Sequence, residues 1–340
     1  MGPWPLGWSL ALFAVAGAVM VVASVRLAGL GDVLADRTGQ GEALFGAVFF
    51  GLVTSLSGIV MTAVSAAGDR PELAYSNAVG GIAAQTLAVV VADAAYRRVN
   101  LEHAAASLPN ILFGCLLIVL LGVALMAAFS PDATLLGVHP ASAVMVAVYW
   151  GGLRLISDRP PSSWVAIRTE DTVPDEPDET DPAAGRRLSG LWVRFGAFAA
   201  LVVVTGWTVA RAAETLVDES GLSEGFVGAV LMGVVNALPE TVTALAAVRR
   251  GALTLAIAAI IGGNCLDALN LVIGDIAYRG GSLHHAAGVD QLFLTAGALV
   301  MTTVLLGGLL IRQRRGWMRL GFDGILLVGV YIAITATLAF

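Results

Sequence analysis

Long runs of apolar residues, separated by short polar breaks, follow one another along the whole chain. Each run comes near the ~20 residues that a helix needs to cross a bilayer, and the runs lack the short alternating segments of a membrane β-barrel. The pattern predicts ten transmembrane helices at roughly residues 6–30, 41–66, 72–95, 109–130, 136–156, 190–212, 222–248, 252–275, 289–311 and 319–340. The expected fold is therefore that of an all-α polytopic membrane protein.

The composition agrees with a chain that is embedded in a lipid bilayer. Of the 340 residues, 57% are hydrophobic and 13% are charged, whereas a soluble domain carries about twice this charged fraction. The net charge of -6 is acidic, and it gives no indication of a nucleic-acid partner.

One sizeable polar segment, residues 157–190, interrupts the apolar pattern. It is rich in Pro, Asp and Glu, so it cannot bury a core. We interpret it as a flexible linker between a first half, 1–156, and a second half, 191–340. Regulatory cation binding is the alternative for this linker, although it lacks the ligand spacing of an EF-hand loop.

The basic residues predict how the chain is oriented in the membrane. Every basic residue is an arginine, and with the N-terminus outside, all but Arg70, Arg211 and Arg279 of the 19 fall on the cytoplasmic side. This asymmetry follows the positive-inside rule. The expected location is a prokaryotic plasma membrane, with the N-terminus outside and the linker in the cytoplasm.

The two halves of the chain repeat one another at an offset of 182 residues. The segment "EALFGAVFFGLVTSL" from Glu42 aligns with "EGFVGAVLMGVVNAL" from Glu224. Further matches pair Gly80 and Gly81 with Gly262 and Gly263, and Asp93 with Asp275. Each half holds five predicted spans, so the second half enters the membrane from the opposite face. Inverted five-helix repeats are an architecture of secondary transporters, whose sites lie where the repeats meet.

The stretch "GVVNALPETVTAL" places Asn236, Pro239 and Glu240 within an apolar run. A carboxylate inside a membrane span is costly and usually marks an ion or proton path. Asn236 and Glu240 are four residues apart and therefore share one helix face. Pro239 removes a backbone hydrogen bond and disfavours helix at Leu238, so we expect a break that exposes carbonyl oxygens to a cation.

The next span contains "IGGNCLDALN", which adds Asn264 and Asp267 after Gly262 and Gly263. We expect the two glycines, like Gly80 and Gly81, to interrupt the helix or permit close packing. Carboxylate and amide oxygens are the ligands of calcium, sodium and other hard cations. The alternative is that the two acids hydrogen-bond helices together without transport.

The pair "NALPETVTAL" and "IGGNCLDALN" resembles the second repeat motif of the sodium/calcium exchanger family of cation/calcium antiporters. The resemblance implies ten helices in two inverted five-helix repeats joined by a cytoplasmic loop. It also implies that Glu240 and Asp267, within the motif at 233–270, are the cation ligands, and that Asn236 contributes an oxygen.

The first half carries a divergent copy of this motif at 51–86. It keeps Thr54, Ser55 and Asn77 as candidate site residues, and a fourth candidate, Gln85, stands where the family has asparagine or aspartate. Gly58, however, stands where the family has a glutamate, and Ile82 replaces an asparagine. The site thus lacks one of two expected glutamates, which should weaken divalent binding unless another group compensates.

The leading hypothesis is a secondary antiporter that exchanges calcium or another hard cation for sodium or protons by alternating access. The transported cation is then the only ligand, and no tightly bound cofactor is expected. The alternative is a degenerate exchanger fold that binds a cation or partner without transport. The chain has neither H-E-x-x-H nor G-x-S-x-G, so a membrane enzyme is disfavoured.

Two further groups of polar residues lie outside this motif. We expect Asp93 and Asp275 to act as caps or to pair with Arg97 and Arg279, each four residues on; a role as proton-relay acids is the alternative. The histidines His103, His284 and His285 are expected to be exposed in loops, and a proton-sensing role is the alternative for them.

Overall fold

The computed structural model describes residues 4–37, 52–96, 98–105, 107–157, 188–314, 316 and 320–340. Within these residues the chain is helical and forms no β-strand. The helices are α1 Leu6–Arg37, α2 Leu56–Ala67, α3 Pro71–Ala95, α4 Leu101–Ala104, α5 Leu108–Ala127, α6 Pro140–Ser157, α7 Leu188–Ser220, α8 Glu224–Arg250, α9 Leu253–Ala277, α10 Val289–Ile311 and α11 Phe322–Ala339.

Eight of the described helices are long and apolar enough to cross a membrane: α1, α3, α5 and α7 to α11. Of the second predicted span, 41–66, the structure describes the part that includes α2, and the rest lies outside the described residues. The fifth predicted span coincides with α6, which is not among the eight. An all-helical membrane protein is therefore confirmed, whereas the count of ten and the inverted repeats stay predictions. Most of the predicted linker, 158–187, also lies outside the described residues.

Helices α3 and α9 form the centre of the molecule. The apolar window of α3 is 78% buried and that of α9 is 72% buried, against 28% for α1 and 17% for α7. The peripheral pair α1 and α7 pack along each other, and their outward apolar side chains suit contact with lipid. The polar residues carried by α3 and α9 are thus placed in the protein interior.

Helices α3 and α8 cross with their backbones in contact. A Cβ atom added at Gly80 would lie 2.3 Å from the Ala229 Cα atom, and one added at Gly233 would lie 2.7 Å from the Gly80 carbonyl carbon. Small residues allow such close approach between membrane helices. On α8, Gly228 lies within the π-helical turn Val227–Met232 and Gly233 follows it directly. Both glycines face α3, since the wider turn brings residues five apart onto one face.

The expected helix breaks are wrong. Helix α8 continues through Pro239, and α3 and α9 continue through their glycine pairs, Gly80 with Gly81 and Gly262 with Gly263. Neighbouring membrane helices can support a proline inside a helix. Gly80 and Gly81 allow close packing against α8, whereas a Cβ atom at Gly262 would meet nothing within 4 Å. The interruption in α9 falls instead at Leu269, between Leu253–Ala268 and Asn270–Ala277.

Candidate cation site

The carboxylate of Asp267, in the middle of α9, is held by two amide side chains. Gln85 of α3 donates from Nε2 to Oδ2 of Asp267, and Asn270 donates from Nδ2 to Oδ1 over 3.1 Å. All three side chains are buried. Gln85 and Asp267 are the residues that the repeat aligns, 182 positions apart, so the repeat brings its own equivalent positions into contact.

Glu240 of α8 approaches the same point from the other side. Its side chain is buried, and its Oε2 atom accepts no hydrogen bond from the described protein. A Cβ atom at Gly263 would lie 3.9 Å from the Glu240 Cγ atom and 3.5 Å from Gln85 Oε1. The two side chains therefore converge over Gly263, and Glu240 interacts electrostatically with Asp267.

Three of the neighbouring amide side chains, those of Gln85, Asn264 and Asn77, donate hydrogen bonds to the protein through their nitrogen atoms while their oxygen atoms accept none. Asn264 donates from Nδ2 to Thr86 Oγ1 over 3.1 Å, and Asn77 donates to Thr62 Oγ1 over 2.9 Å. The carbonyl oxygens of Asn264, Asn77 and Gln85 are buried without a hydrogen-bond partner among the described residues. Buried oxygens without donors are unusual in proteins, and they match the oxygen ligands that a hard cation prefers.

Asn236 occupies the space next to Gly58, the residue that stands in place of the family's first glutamate. The Asn236 Oδ1 atom accepts a hydrogen bond of 3.0 Å from Ser57 Oγ. A Cβ atom at Gly58 would lie 2.9 Å from the Asn236 amide and 2.7 Å from the Asn270 Nδ2 atom. Two amides therefore fill the position where a second glutamate side chain would begin.

The remaining candidates from the first half lie at the start of α2. Ser55 is buried next to the Asp267 carboxylate, and its Oγ atom has no hydrogen-bond partner among the described residues. Thr54 is partly buried and has contacts of its own. Glu240, Asp267, Gln85 and Ser55 are thus brought together at one point.

Sequence reasoning missed Asn270, Ser57, Thr62 and Thr86 as partners of the site residues. The spacing of Asn270 from Asp267, three residues along the same helical stretch, is a signal that could have found it. Its aligned residue in the first half is Ala88, so a search guided by the repeat passes over it.

The two matched aspartates at the ends of α3 and α9 act as caps. Asp93 Oδ1 accepts from the Leu101 backbone N–H over 2.6 Å, and Asp275 Oδ1 accepts from the Leu283 N–H over 2.9 Å. The second oxygen of Asp275 accepts from the His139 N–H and from Ser142 Oγ, each over 2.7 Å. The expected cap role agrees with this geometry, and Asp275 forms these bonds in place of a pair with Arg279.

The fold and this site define a helical membrane protein with a buried, oxygen-lined point between two acids. The sequence model of the family described as sodium/calcium exchanger protein matches residues 8–157 and 190–340. The chain therefore belongs to the sodium/calcium exchanger family, which consists of membrane cation exchangers and not of enzymes.

Several solved exchangers share the fold at low sequence identity. The H+/Ca2+ exchanger CAX superposes with a TM-score of 0.70 at 15% identity, over 97% of this chain and 85% of that one. Native YfkE gives 0.67 at 14% identity, over 99% and 93%. The sodium–calcium exchanger NCX_Mj gives 0.57 at 17% identity, over 98% and 99%. No curated protein matches the chain in sequence.

Proposed function

We propose that the protein is a secondary antiporter that carries a hard divalent cation, calcium first, in exchange for protons or sodium. The observation that supports this most is the convergence of Glu240 and Asp267 in the protein interior, with the donor-free amide oxygen of Gln85 beside them. Similarity in fold to an H+/Ca2+ exchanger and to a sodium–calcium exchanger points to the same cations.

The two carboxylates set the charge that the site exchanges. Two buried carboxylates in one site are unfavourable without counter-charges, and one divalent cation or two monovalent cations would neutralise them. Gly58 provides no third carboxylate, and the amides beside it are neutral. The proposed exchange is therefore one divalent cation for two protons or two sodium ions.

Alternating access would come from rocking of the two halves, so that the point between Glu240 and Asp267 opens to one side and then to the other. In the proposed orientation the N-terminus is outside the cell and the 157–190 linker is in the cytoplasm. The carrier would then lie in a prokaryotic plasma membrane, with inorganic cations as its partners and no bound cofactor.

The test is cation flux into proteoliposomes under an imposed proton or sodium gradient. Glu240→Gln and Asp267→Asn each remove one charge and keep the side-chain shape. Loss of a charged ligand costs about 1.5–3 kcal/mol, so each variant should slow calcium flux by about 10- to 100-fold. Glu219→Gln, at an exposed position near the end of α7, is the matched control and should leave the flux unchanged.

Unaltered flux in the Glu240→Gln protein would show that the site is assigned wrongly. A wild-type protein that binds calcium through Glu240, but moves no cation under either gradient, would instead be a binding protein with an exchanger fold.

A further inference from the structure

Three of the four histidines of the chain meet beside the C-terminal end of α9, and we call His139, His284 and His285 the histidine cluster. The His139 ring lies 5.7 Å from the His284 ring and 5.1 Å from the His285 ring, between centroids. His139 belongs to the loop before α6, and the other two belong to the loop between α9 and α10. The expectation of exposed loop histidines is wrong, because His284 is 0% and His103 is 9% exposed. His139, for which there was no sequence-based expectation, is also buried.

The hydrogen bonds of His139 require a neutral ring. Its Nδ1 atom accepts from the Ala141 backbone N–H over 3.1 Å, which satisfies one of the free N–H groups at the start of α6. The proton therefore sits on Nε2, which faces the Ser130 Oγ atom at 3.2 Å. A second proton on Nδ1 would face the Ala141 N–H and remove this cap.

His284 is also held as a neutral ring. Ser142 uses its hydroxyl hydrogen on Asp275, so the contact of 3.3 Å between Ser142 Oγ and His284 Nε2 has the histidine as donor. The His284 Nδ1 atom is buried without a partner among the described residues. Burial lowers the pKa of His284 to about 4, since it outweighs the opposing effect of Asp275, and the two other histidines lower it further.

His285 ties the cluster to the loop after α5. Its Nε2 atom donates to the Ser130 carbonyl oxygen over 2.8 Å, and its Nδ1 atom lies 3.7 Å from Asp132. The charged groups that face the cluster are therefore Asp275 from the end of α9 and Asp132 from the α5–α6 loop. Helix α6 contributes the Ser142 hydroxyl.

We propose that the histidine cluster is a proton-sensitive clasp. The backbone N–H groups of His139 and Leu283 and the Ser142 hydroxyl fasten the α5–α6 loop and the α9–α10 loop to Asp275 at the end of α9. These contacts pack around a neutral, fully buried His284 ring, and protonation of that ring releases both loops. The clasp depends on contacts at Asp275, which joins the end of α9 to the α5–α6 loop, to helix α6 and to the α9–α10 loop. It does not depend on any ligand of the cation site.

The opposite end of the molecule carries the same backbone geometry with different chemistry. There Asp93 accepts from the Leu101 N–H as Asp275 accepts from the Leu283 N–H, and the partners are eight positions apart in both cases. The position that corresponds to His284 is Glu102, which is also buried. Burial, together with the neighbouring Asp323 and Asp93 carboxylates, raises the pKa of Glu102. Acidification therefore adds a positive charge to His284 in the clasp, whereas it neutralises Glu102 at the other end of the molecule.

The clasp acts on the helix that carries a site carboxylate. Asp275 follows Asp267 by eight residues, or about 12 Å along α9, and the interruption at Leu269 lies between them. Release of the loops would free the outer end of α9. If the proposed function holds, with this end outside the cell, external acid would alter the rate of cation exchange through this end of α9.

The pH range follows from the sign of the His284 shift. Its pKa falls from 6.5 in an open loop to about 4 in the clasp, so the clasp is fully stabilised above pH 6.5 and loses stability as the pH falls towards 4. Between pH 7.5 and pH 5 the opening equilibrium should shift by about 30-fold.

The experiment is amide hydrogen exchange on the full chain in lipid nanodiscs at pH 7.5 and pH 5, corrected for the intrinsic pH dependence of exchange. Protection of residues 129–142 and 278–288 should fall by about 30-fold in the wild-type protein. The triple variant His139→Asn, His284→Gln, His285→Gln keeps the hydrogen-bonding atoms without the titration, so its protection should change by less than about 3-fold. His103→Gln, at the aligned position of His285, should behave like the wild-type protein.

Protection that is equal at both pH values in the wild-type protein would overturn the proposal without any variant, even if the triple variant failed to fold. An unchanged 30-fold loss in the triple variant would also overturn it. Tracer calcium exchange at equal pH on both sides separates the two proposals: a pH-dependent clasp in a protein without flux would contradict the antiporter and not the clasp.

Discussion

The crossing of α3 and α8 can be tested by adding a single methyl group at Gly80. In Gly80→Ala the new Cβ atom would lie 2.3 Å from Ala229 Cα and 2.6 Å from the Ala229 carbonyl oxygen. Both are backbone atoms, so no side-chain rotation relieves the clash and the helices must separate. Overpacking of this kind costs about 1–3 kcal/mol, while the higher helix propensity of alanine returns up to about 1 kcal/mol.

The repeat provides a matched control at Gly262, the residue that aligns with Gly80. A Cβ atom there meets nothing within 4 Å, so Gly262→Ala should be neutral or stabilising by up to about 1 kcal/mol. Thermal unfolding of both variants in one detergent should give a lower midpoint for Gly80→Ala and an unchanged or higher midpoint for Gly262→Ala.

Function should follow the same order, because Gln85 lies on α3 and Glu240 on α8. Separation of the two helices moves these side chains apart, and calcium flux should fall by about 10-fold or more in Gly80→Ala, for a loss of roughly 1.4 kcal/mol in binding. Equal midpoints and equal flux in the two variants would refute the argument that backbone contact at this crossing positions the site.

Two further predictions concern the amides of the site. Gly58→Ala places a Cβ atom 2.7 Å from Asn270 Nδ2 and 2.9 Å from the Asn236 amide. Because both side chains can shift, the protein should fold, but it should bind calcium about 10-fold more weakly in a calorimetric titration. Wild-type affinity would show that the two amides do not fill this space. Asn270→Ala removes one hydrogen-bond donor to Asp267. The loss of about 0.5–1.5 kcal/mol should slow calcium flux by about 3- to 10-fold. Unchanged flux would show that Gln85 alone orients the carboxylate.

The internal repeat predicted more of the contacts in the fold and the site than any single motif did. The aligned pairs Gln85 with Asp267 and Asp93 with Asp275 meet or act alike in the structure, because each residue holds the same position on an equivalent helix. Alignment cannot reveal residues that lack a counterpart. Asn270 is such a residue, and its role depends on how α9 is interrupted at Leu269.

Local backbone preference was a poorer guide to the same helices. Pro239 disfavours helix in isolation, yet α8 runs through it, since packing in a membrane protein outweighs the loss of one backbone hydrogen bond. The burial of His284 was equally hidden from the sequence. Its loop becomes interior only because Asp275 and the α5–α6 loop close over it, and these contacts lie far apart along the chain.

The asymmetry at Gly58 now has a physical explanation within the site. A glutamate at this position would have to displace two amides, one of which holds Asp267 and the other of which binds Ser57. The first half therefore supplies the site with neutral dipoles from Ser55 and Gln85, while the second half supplies both negative charges. Amide dipoles bind a cation without requiring a counter-charge when it leaves, whereas each carboxylate requires one. In the proposed antiporter, a site built in this way would exchange two monovalent charges for each divalent ion, and the missing glutamate would limit that number.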